Sequence, residues 1–461
     1  MKKASQDIFE PEIPVVPSGW VVLPFEQAAD VISDKGKRVK QGSYVPVGKI
    51  PVIDQGQDTI GGYTNDENMA FDDGLPVILF GDHTRSLKYV DKRFAVGAEG
   101  VKILRPREGY VPKFFYYLLR SLQIPSRGYS RHFQFLRKFH FPLAPEEQQK
   151  GIVAEIEKQF SRLDEAVANL KRVKANLKRY KAAVPKAAVE GKLTEAWRKQ
   201  HPDIEPASKL IERILVERGA KWSGKRKRKE PAFPNNANSR PLPKGWCWVS
   251  LDQMLWQFRS GTAETSARDP TDYPVLKSSA VRHGVIDYAD LNYLRKSQSM
   301  RPENFLRHGD FLITRLSGSV DYVGCSALVK DIACDRIQYP DRIFCGKLVS
   351  GVDGTYLSYC FQHPSIRKAL ETAAKSTAGH QRISMSDLYP LTLPLPSTAE
   401  QEVIVAEVER RLSVIKELEA AVQANLTRAN RLRQSILSGA FSGRLFTQEM
   451  LPTHSERKSV S

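Results

Sequence analysis

Apolar positions along this chain follow two alternating regimes. Short runs of β character, among them Val21-Val22-Leu23, Val77-Ile78-Leu79-Phe80, Cys247-Trp248-Val249 and Asp310-Phe311-Leu312-Ile313-Thr314, are separated by glycine, proline and polar loops. They predict mixed strand-and-helix domains over residues 14–143 and 241–397. The second regime is helical. No glycine interrupts the stretch from Gly151 to about Val189, where Leu163, Ala166, Leu170, Val173, Leu177, Tyr180 and Val184 step by three and four. Ile415, Leu418, Val422, Asn425, Ala429, Leu432 and Ile436 do the same. Each set is an a/d seam on a helix of ~55–60 Å. One narrow apolar stripe on each helix needs a partner, and the other helix, run antiparallel, is the obvious one. Leu163, Leu170, Leu177, Ile415, Val422 and Leu432 are the expected seam, with Asn425 able to fix register. Pro185 should kink or end the first helix. Gly191, and Gly439 or Gly443, supply stop signals.

The chain also repeats itself. Pro17-Ser18-Gly19-Trp20 returns as Pro243-Lys244-Gly245-Trp246, each ahead of a strand-like run. Ile152-Val153-Ala154-Glu155-Ile156-Glu157 returns 252 residues later as Ile404-Val405-Ala406-Glu407-Val408-Glu409. A proline-rich lead precedes each helix: Phe141-Pro142-Leu143-Ala144-Pro145, and Leu393-Pro394-Leu395-Pro396. The order is mixed domain, long helix, mixed domain, long helix. A period this long is a duplicated half-molecule, an internal pseudo-dimer with two-fold logic. The fold class expected is α+β: two mixed domains joined by two long antiparallel coiled-coil helices, with an internal pseudo-two-fold. The segments are 14–143, a helical spacer 144–198, a basic linker 199–240 that starts with a short amphipathic stretch around Ala207 to Arg218, 241–397, a second spacer 398–446 and a disordered tail 447–461.

Charge turns this architecture toward a partner. The 461 residues carry 70 Lys and Arg against 52 Asp and Glu, a net +18. The run Lys225-Arg226-Lys227-Arg228-Lys229 holds only five of the basic residues, so the surplus is spread and points to a polyanion, nucleic acid first. The run itself is either a phosphate grip or a solvated connector. Cys247, Cys325, Cys334, Cys345 and Cys360 form no C-x-x-C pair, which argues against a zinc site. Their odd number, and an N-terminus without an apolar signal core, fit the cytoplasm. No apolar run reaches the ~18 residues of a membrane span.

Two strand ends run into polar loops. Val77–Phe80 leads into Gly81-Asp82-His83-Thr84-Arg85, and Asp310–Arg315 into Leu316-Ser317-Gly318-Ser319. Near the close of each domain stand Gly128-Tyr129-Ser130-Arg131 and Gly379-His380-Gln381-Arg382. Such side chains suit base edges and phosphates, although a polar turn or a helix cap uses the same residues. The candidate contacts are His83, Thr84, Arg85, Arg131, Lys277, Arg315, Ser317, Ser319, His380, Gln381 and Arg382. No catalytic residue and no metal ligand is assigned. There is no G-x-G-x-x-G, no phosphate-binding G-x-x-x-x-G-K-[ST], and no Pro-Pro of an amino-methyltransferase box. A drifted nuclease or methyltransferase, or a protein-binding coiled-coil scaffold, are the competing readings.

With these residues in place, the chain resembles the specificity (S) subunits of type I restriction-modification enzymes, from about Pro14 to Leu445. The resemblance rests on the domain–spacer order, on the helix starts at Glu147-Gln148 and Glu400-Gln401, on the tail Ala187–Arg198, and on Gly379-His380-Gln381-Arg382-Ile383-Ser384. It implies that 14–143 and 241–397 are target-recognition domains, each reading half of a split, asymmetric double-stranded DNA sequence. The helices would set the gap and dock two methyltransferase (M) subunits, with restriction/translocase (R) subunits joining. It implies no cofactor in this chain. S-adenosylmethionine, ATP and Mg2+ would belong to the partner subunits, and the chain itself would be non-catalytic.

Overall fold

The computed structural model describes residues 9–97, 100–126, 128, 130–220, 230–234, 241–295, 301–332, 336–377, 379–442 and 444. The Lys225–Lys229 run, Tyr129, Cys334, Gly443 and the tail 447–461 lie outside the described residues. The chain divides into two compact units, Met1–Arg172 with Val422–Ser461, and Val173–Ala421. Both mix strands with helices, and each takes part of both long helices.

In the first unit, β1 (Val21–Pro24) pairs antiparallel with β6 (His140–Leu143), Val21 opposite Leu143. The strand after the Trp20 turn therefore lies against the proline-rich lead, and two sequence repeats meet in one ladder. Between them a four-stranded antiparallel sheet runs in the order β2 (Ala29–Ile32), β5 (Val101–Pro106), β3 (Val77–Gly81), β4 (Leu87–Val90). Every residue of β3 is buried. Successive side chains of a strand point to opposite faces, so an unbroken apolar run suits a strand covered on both sides. Ile78 and Phe80 pack with Phe114, Phe115 and Leu118 of α1 (Pro112–Ser121). Val77 and Leu79 pack with Phe94 and Val96 of a second sheet. Full burial of each such side chain contributes roughly 1.5–3 kcal/mol. The first long helix, α2, spans Glu146–Val189.

The second unit repeats the plan. β7 (Cys247–Ser250) pairs with β15 (Thr392–Leu395), Cys247 opposite Leu395. The four-stranded sheet runs β8 (Leu255–Ser260), β12 (Ile343–Leu348), β9 (Asp310–Thr314), β11 (Ser326–Leu328). In both units the sheet thus follows the chain order first, fourth, second, third. The buried strand β9 again faces two clusters, Phe311 and Ile313 on one side and Leu312 on the other. Helix α3 (Gly354–Gln362) is capped by Asp353, whose carboxylate accepts from the N–H groups of Thr355 at 2.6 Å and Tyr356 at 2.9 Å. Among the described residues, only this unit has a small sheet in the order β10 (Leu316–Ser317), β14 (His380–Arg382), β13 (Lys375–Thr377). The amphipathic stretch at the start of the expected linker 199–240 is helical. Residues Ala207–Ala220 form a helix whose Ala207, Leu210, Ile211 and Ile214 are buried in the core of the unit, because their spacing gives one continuous apolar face.

The second long helix, α4, spans Thr398–Phe441 and passes Gly439. In each unit the two helix portions run antiparallel. In the first unit Ile436, Leu437 and Ala440 pack with Ile152, Ile156 and Phe160, and Arg433 pairs with Asp164. In the second, Val184 packs with Ile404, Val408 and Ile415, and Lys181 pairs with Glu419 at 2.9 Å. The inward row is Gln149, Ile156, Leu163, Leu170, Leu177, Val184 on α2, and Gln401, Val408, Ile415, Val422, Ala429, Ile436 on α4. Leu432 does not belong to it: it is 48% exposed, like Leu418, Val173 and Tyr180, and Asn425 is exposed too. A step of three residues turns ~60° off the line that a step of seven keeps, so a two-helix contact covers one row and leaves the other on its flank. The register role expected of Asn425 falls with it. Pro185 neither ends nor removes the last turn of α2. It is buried four residues before the helix end, where it lines a small cavity with Tyr359 and Leu412 and removes one helix hydrogen bond.

Candidate nucleic-acid interface

In the first unit the candidates sit on the turn between β3 and β4. Arg85 N–H donates to Gly81 O at 2.7 Å, and Gly81 N–H to Ser86 O at 2.8 Å. The closure holds Arg85 at φ 59°, a left-handed conformation that costs a non-glycine residue roughly 1–2 kcal/mol. Thr84 faces inward: its hydroxyl donates to Gln55 O at 2.5 Å, so it shapes the turn. His83 is half-buried, with its N–H on Gln55 Oε1 at 3.2 Å. The guanidinium of Arg85 is exposed and donates to Ile124 O at 2.8 Å. Asp82 ties this turn to the second candidate segment. Its carbonyl accepts from His132 N–H at 2.8 Å and its carboxylate from Phe133 N–H at 2.8 Å. The exposed Arg131 is thereby brought beside the β3–β4 turn. Asp82 and Gln55 organise the site and were not singled out in the sequence; each acts through contacts distant along the chain.

In the second unit β14 carries His380 and Arg382 on one side, exposed, and the half-buried Gln381 on the other. Ser317 lies opposite Gln381, and Lys375, also unforeseen, lies opposite Arg382. Residues directly opposite share a face, so Lys375 and Arg382 set two cations side by side, an arrangement that repels unless an anion meets it. Arg315 is half-buried and held by contacts within its own domain. Its Nη1 donates to Asp341 O at 3.1 Å and Ser260 Oγ at 3.4 Å, and its guanidinium lies 5.5 Å from the Phe344 ring centre. Ser319 caps the turn Val320–Tyr322, accepting from Asp321 N–H at 3.3 Å. Lys277 stands apart from the small sheet, paired with Asp290 at 2.8 Å beside a polar cavity of about 530 Å³ that includes Asp341 and Arg342. The Lys277 hydrogen bond, followed by that from Ser279, holds the Asp290 carboxyl below its ordinary range.

Both domains are anchored to their helices in the same way. Gln149 Nε2 donates to Gly109 O and Ala144 O, both at 2.7 Å, and its Oε1 accepts from Val111 N–H at 2.7 Å. Gln401 repeats this with Gly351 O and Pro396 O, both at 3.1 Å, and Asp353 N–H at 2.7 Å. The counterpart of Gln401 is therefore Gln149, one residue beyond the expected Gln148. Tyr110 donates to Phe141 O at 3.0 Å, and Tyr356 to Pro394 O at 2.9 Å.

Burial pushes the Cys247 thiol up to about 11 and raises those of Cys325 and Cys345, so none is a thiolate near neutral pH. Among the described residues no three His, Cys, Asp or Glu side chains gather to hold a metal ion. Among them, too, no helix is long and apolar enough to cross a membrane.

No family model matches the chain. The type I restriction enzyme EcoKI specificity subunit of Escherichia coli strain K12 is 28% identical over 309 residues, which cover 67% of this chain and 58% of that protein. The EcoEI specificity subunit of Escherichia coli is 28% identical over 246 residues, 51% of this chain and 40% of that protein. The chain thus spans only 40–58% of the length of these two curated relatives. Among solved structures, the HsdS subunit from Thermoanaerobacter tengcongensis matches over 93% of this chain and 98% of its own, at 18% identity and a TM-score of 0.50. A chain from work on complex assembly and conformational transition of the type I R-M system matches over 94% and 100%, at 17% identity and a TM-score of 0.57. The fold is that of these structures.

Proposed function

We propose, from the premise that this chain is a homologue of type I restriction enzyme specificity subunits, that it is the non-catalytic DNA-specificity subunit of such a complex. The observation that carries the reading is a duplicated scaffold with unlike tips. Strand order, tryptophan turn and glutamine anchor are the same in both units, whereas one presents Arg85 and Arg131 and the other Lys375, His380 and Arg382. A repeated frame with different readers suits a DNA target in two unequal halves. Residues 14–143 and 241–397 are the two target-recognition domains, 144–198 and 398–446 the spacers, 199–240 the connector and 447–461 a tail.

The chain would place no cofactor of its own in the complex. S-adenosylmethionine, ATP and Mg2+ would enter with two methyltransferase subunits and the restriction/translocase subunits. The exposed Val173, Tyr180, Val414 and Leu418 on the helices offer apolar contact to such a partner. The complex would act in the cytoplasm, on double-stranded DNA. Phosphate contacts supply salt-sensitive affinity, and base contacts supply discrimination of ~1–3 kcal/mol each.

The test is a genome-wide map of N6-methyladenine in the native host with and without the gene. One split, asymmetric motif should lose methylation on deletion. An unchanged map, with the methyltransferase present and active on other motifs, rejects the reading.

A further inference from the structure

The first unit contains an open cavity of about 650 Å³ whose wall includes Thr84, Arg85, Ser86, Lys88, Tyr116 and Arg120, and no carboxylate. Lys88 is balanced nearby, with Asp54 Oδ1 3.6 Å from its Nζ, and burial lowers its pKa. Among the described residues no carboxylate reaches salt-bridge distance of Arg85 or Arg120. Arg120 is instead held by aromatic rings, its guanidinium 5.5 Å from the centre of Tyr116 and 5.6 Å from that of Phe160. Arg433 approaches the same Phe160 ring at 5.2 Å, and its own pKa is lowered by burial and by the charge of Arg120. Arg433 is offset by its pair with Asp164, so Arg120 is the arginine that packing leaves at this wall without a carboxylate among the described residues. Arg85 is fixed from the other side by its left-handed turn and its bond to Ile124 O.

We propose that this cavity seats a backbone phosphate of the bound DNA, with Arg85 and Arg120 as its two cations. This rests on the DNA-specificity reading and, of the two roles open to Arg85, assigns it backbone positioning. A fixed guanidinium facing an acid-free polar cavity suits a phosphate oxygen, whose position does not change with sequence. Arg120 was not among the candidates legible in the sequence, because it lies in the last turn of α1, far along the chain from the turn it faces.

The experiment measures equilibrium binding of the full-length chain to a duplex carrying its methylation motif and to a scrambled duplex, across a salt series. Arg85→Gln and Arg120→Gln should each weaken binding to both duplexes by the same factor. Each should reduce the slope of log K against log salt, and the double variant should reduce it by ~0.9, one phosphate's worth. Arg120→Lys, which keeps the charge without the ring stacking, should restore the slope. An unchanged slope in Arg120→Gln overturns the proposal, and so does Arg85→Gln relaxing one base of the motif. ATP protecting the wild type, but not Arg120→Gln, from thermal unfolding without DNA would assign the cavity to a free nucleotide and also overturn it. A wild type that fails to distinguish the two duplexes would instead count against the specificity reading itself.

Discussion

Trp246 donates its indole N–H to Glu400 Oε2 at 2.8 Å, and the equivalent Trp20 donates to Gln148 Oε1 at the same distance. The tryptophan of each Pro-x-Gly-Trp turn is thus fastened to the first turn of its long helix. The two bolts differ in charge. Glu400 is nearly fully buried and also accepts from Thr194 Oγ1 at 2.7 Å and Arg198 Nη1 at 2.9 Å. Glu400→Ala takes the carboxylate from a half-buried guanidinium, which keeps only Gly191 O, and leaves the Trp246 indole N–H without its acceptor, at an expected cost of ~3–5 kcal/mol. Gln148→Ala loses one neutral hydrogen bond, ~1 kcal/mol. Glu400→Gln, which copies the first unit, should fall between them. With two units a single unfolding free energy is not defined, so the comparison is of urea midpoints. Equal shifts for Glu400→Ala and Gln148→Ala would contradict the charged bolt.

The seven-residue row predicts unequal consequences along one helix. Ile415 is 1% exposed and Leu432 is 48% exposed, although both stand at heptad positions. Ile415→Ala should cost ~2–5 kcal/mol by leaving a cavity between the helices. Leu432→Ala should change stability by no more than ~0.5 kcal/mol. Thermal unfolding of the two variants decides. Similar losses would return Leu432 to the seam.

His283 predicts acid sensitivity. Its Nε2 lies 3.3 Å from Cys325 Sγ, and the ring borders a cavity shared with Lys330, Glu409, Ser358 and Gln362. Burial, then the charges of Arg367 and Arg282, lower its pKa from 6.5 to about 4. A histidine kept neutral in the fold gives stability that is complete above pH 6.5 and is lost as pH falls from there toward 4. The melting temperature should drop across that window, and His283→Gln should flatten the drop. A wild-type profile flat between these pH values would contradict the burial of this ring.

The long helices, the buried strand Val77–Phe80 and the tryptophan turns were legible because each is written in local periodicity or in repetition. What stayed hidden depends on a contact made far along the chain. Matching Glu147-Gln148 with Glu400-Gln401 follows identity. The fold instead selects the glutamine that reaches the carbonyls of Gly109 and Ala144, which is Gln149. A heptad pattern likewise does not state which of its two rows meets the partner, so Leu432 was grouped with Ile415. The amphipathic stretch around Ala207 to Arg218 is legible within the linker, but not what its apolar face packs on, because those partners come from other segments of the chain.

Arginines at strand ends pose the same ambiguity, and Arg315 and Arg382 resolve it in opposite ways. Arg315 is half-buried against Phe344 and bonded to the Asp341 carbonyl, whereas Arg382 is exposed opposite Lys375. Arg315→Ala would leave that carbonyl to Ser260 Oγ alone, 3.1 Å away, and remove the guanidinium packed on Phe344 beside the wall where Asp341 and Arg342 border the Lys277 cavity. A loss of ~1–3 kcal/mol is expected. Arg382→Ala removes a repulsive neighbour from Lys375 and should leave stability within ~0.5 kcal/mol, while weakening DNA binding. Denaturation and salt-dependent binding, measured side by side on both variants, separate the roles. If Arg382→Ala unfolds the second unit, or if Arg315→Ala weakens binding with no loss of stability, the assignments must be exchanged.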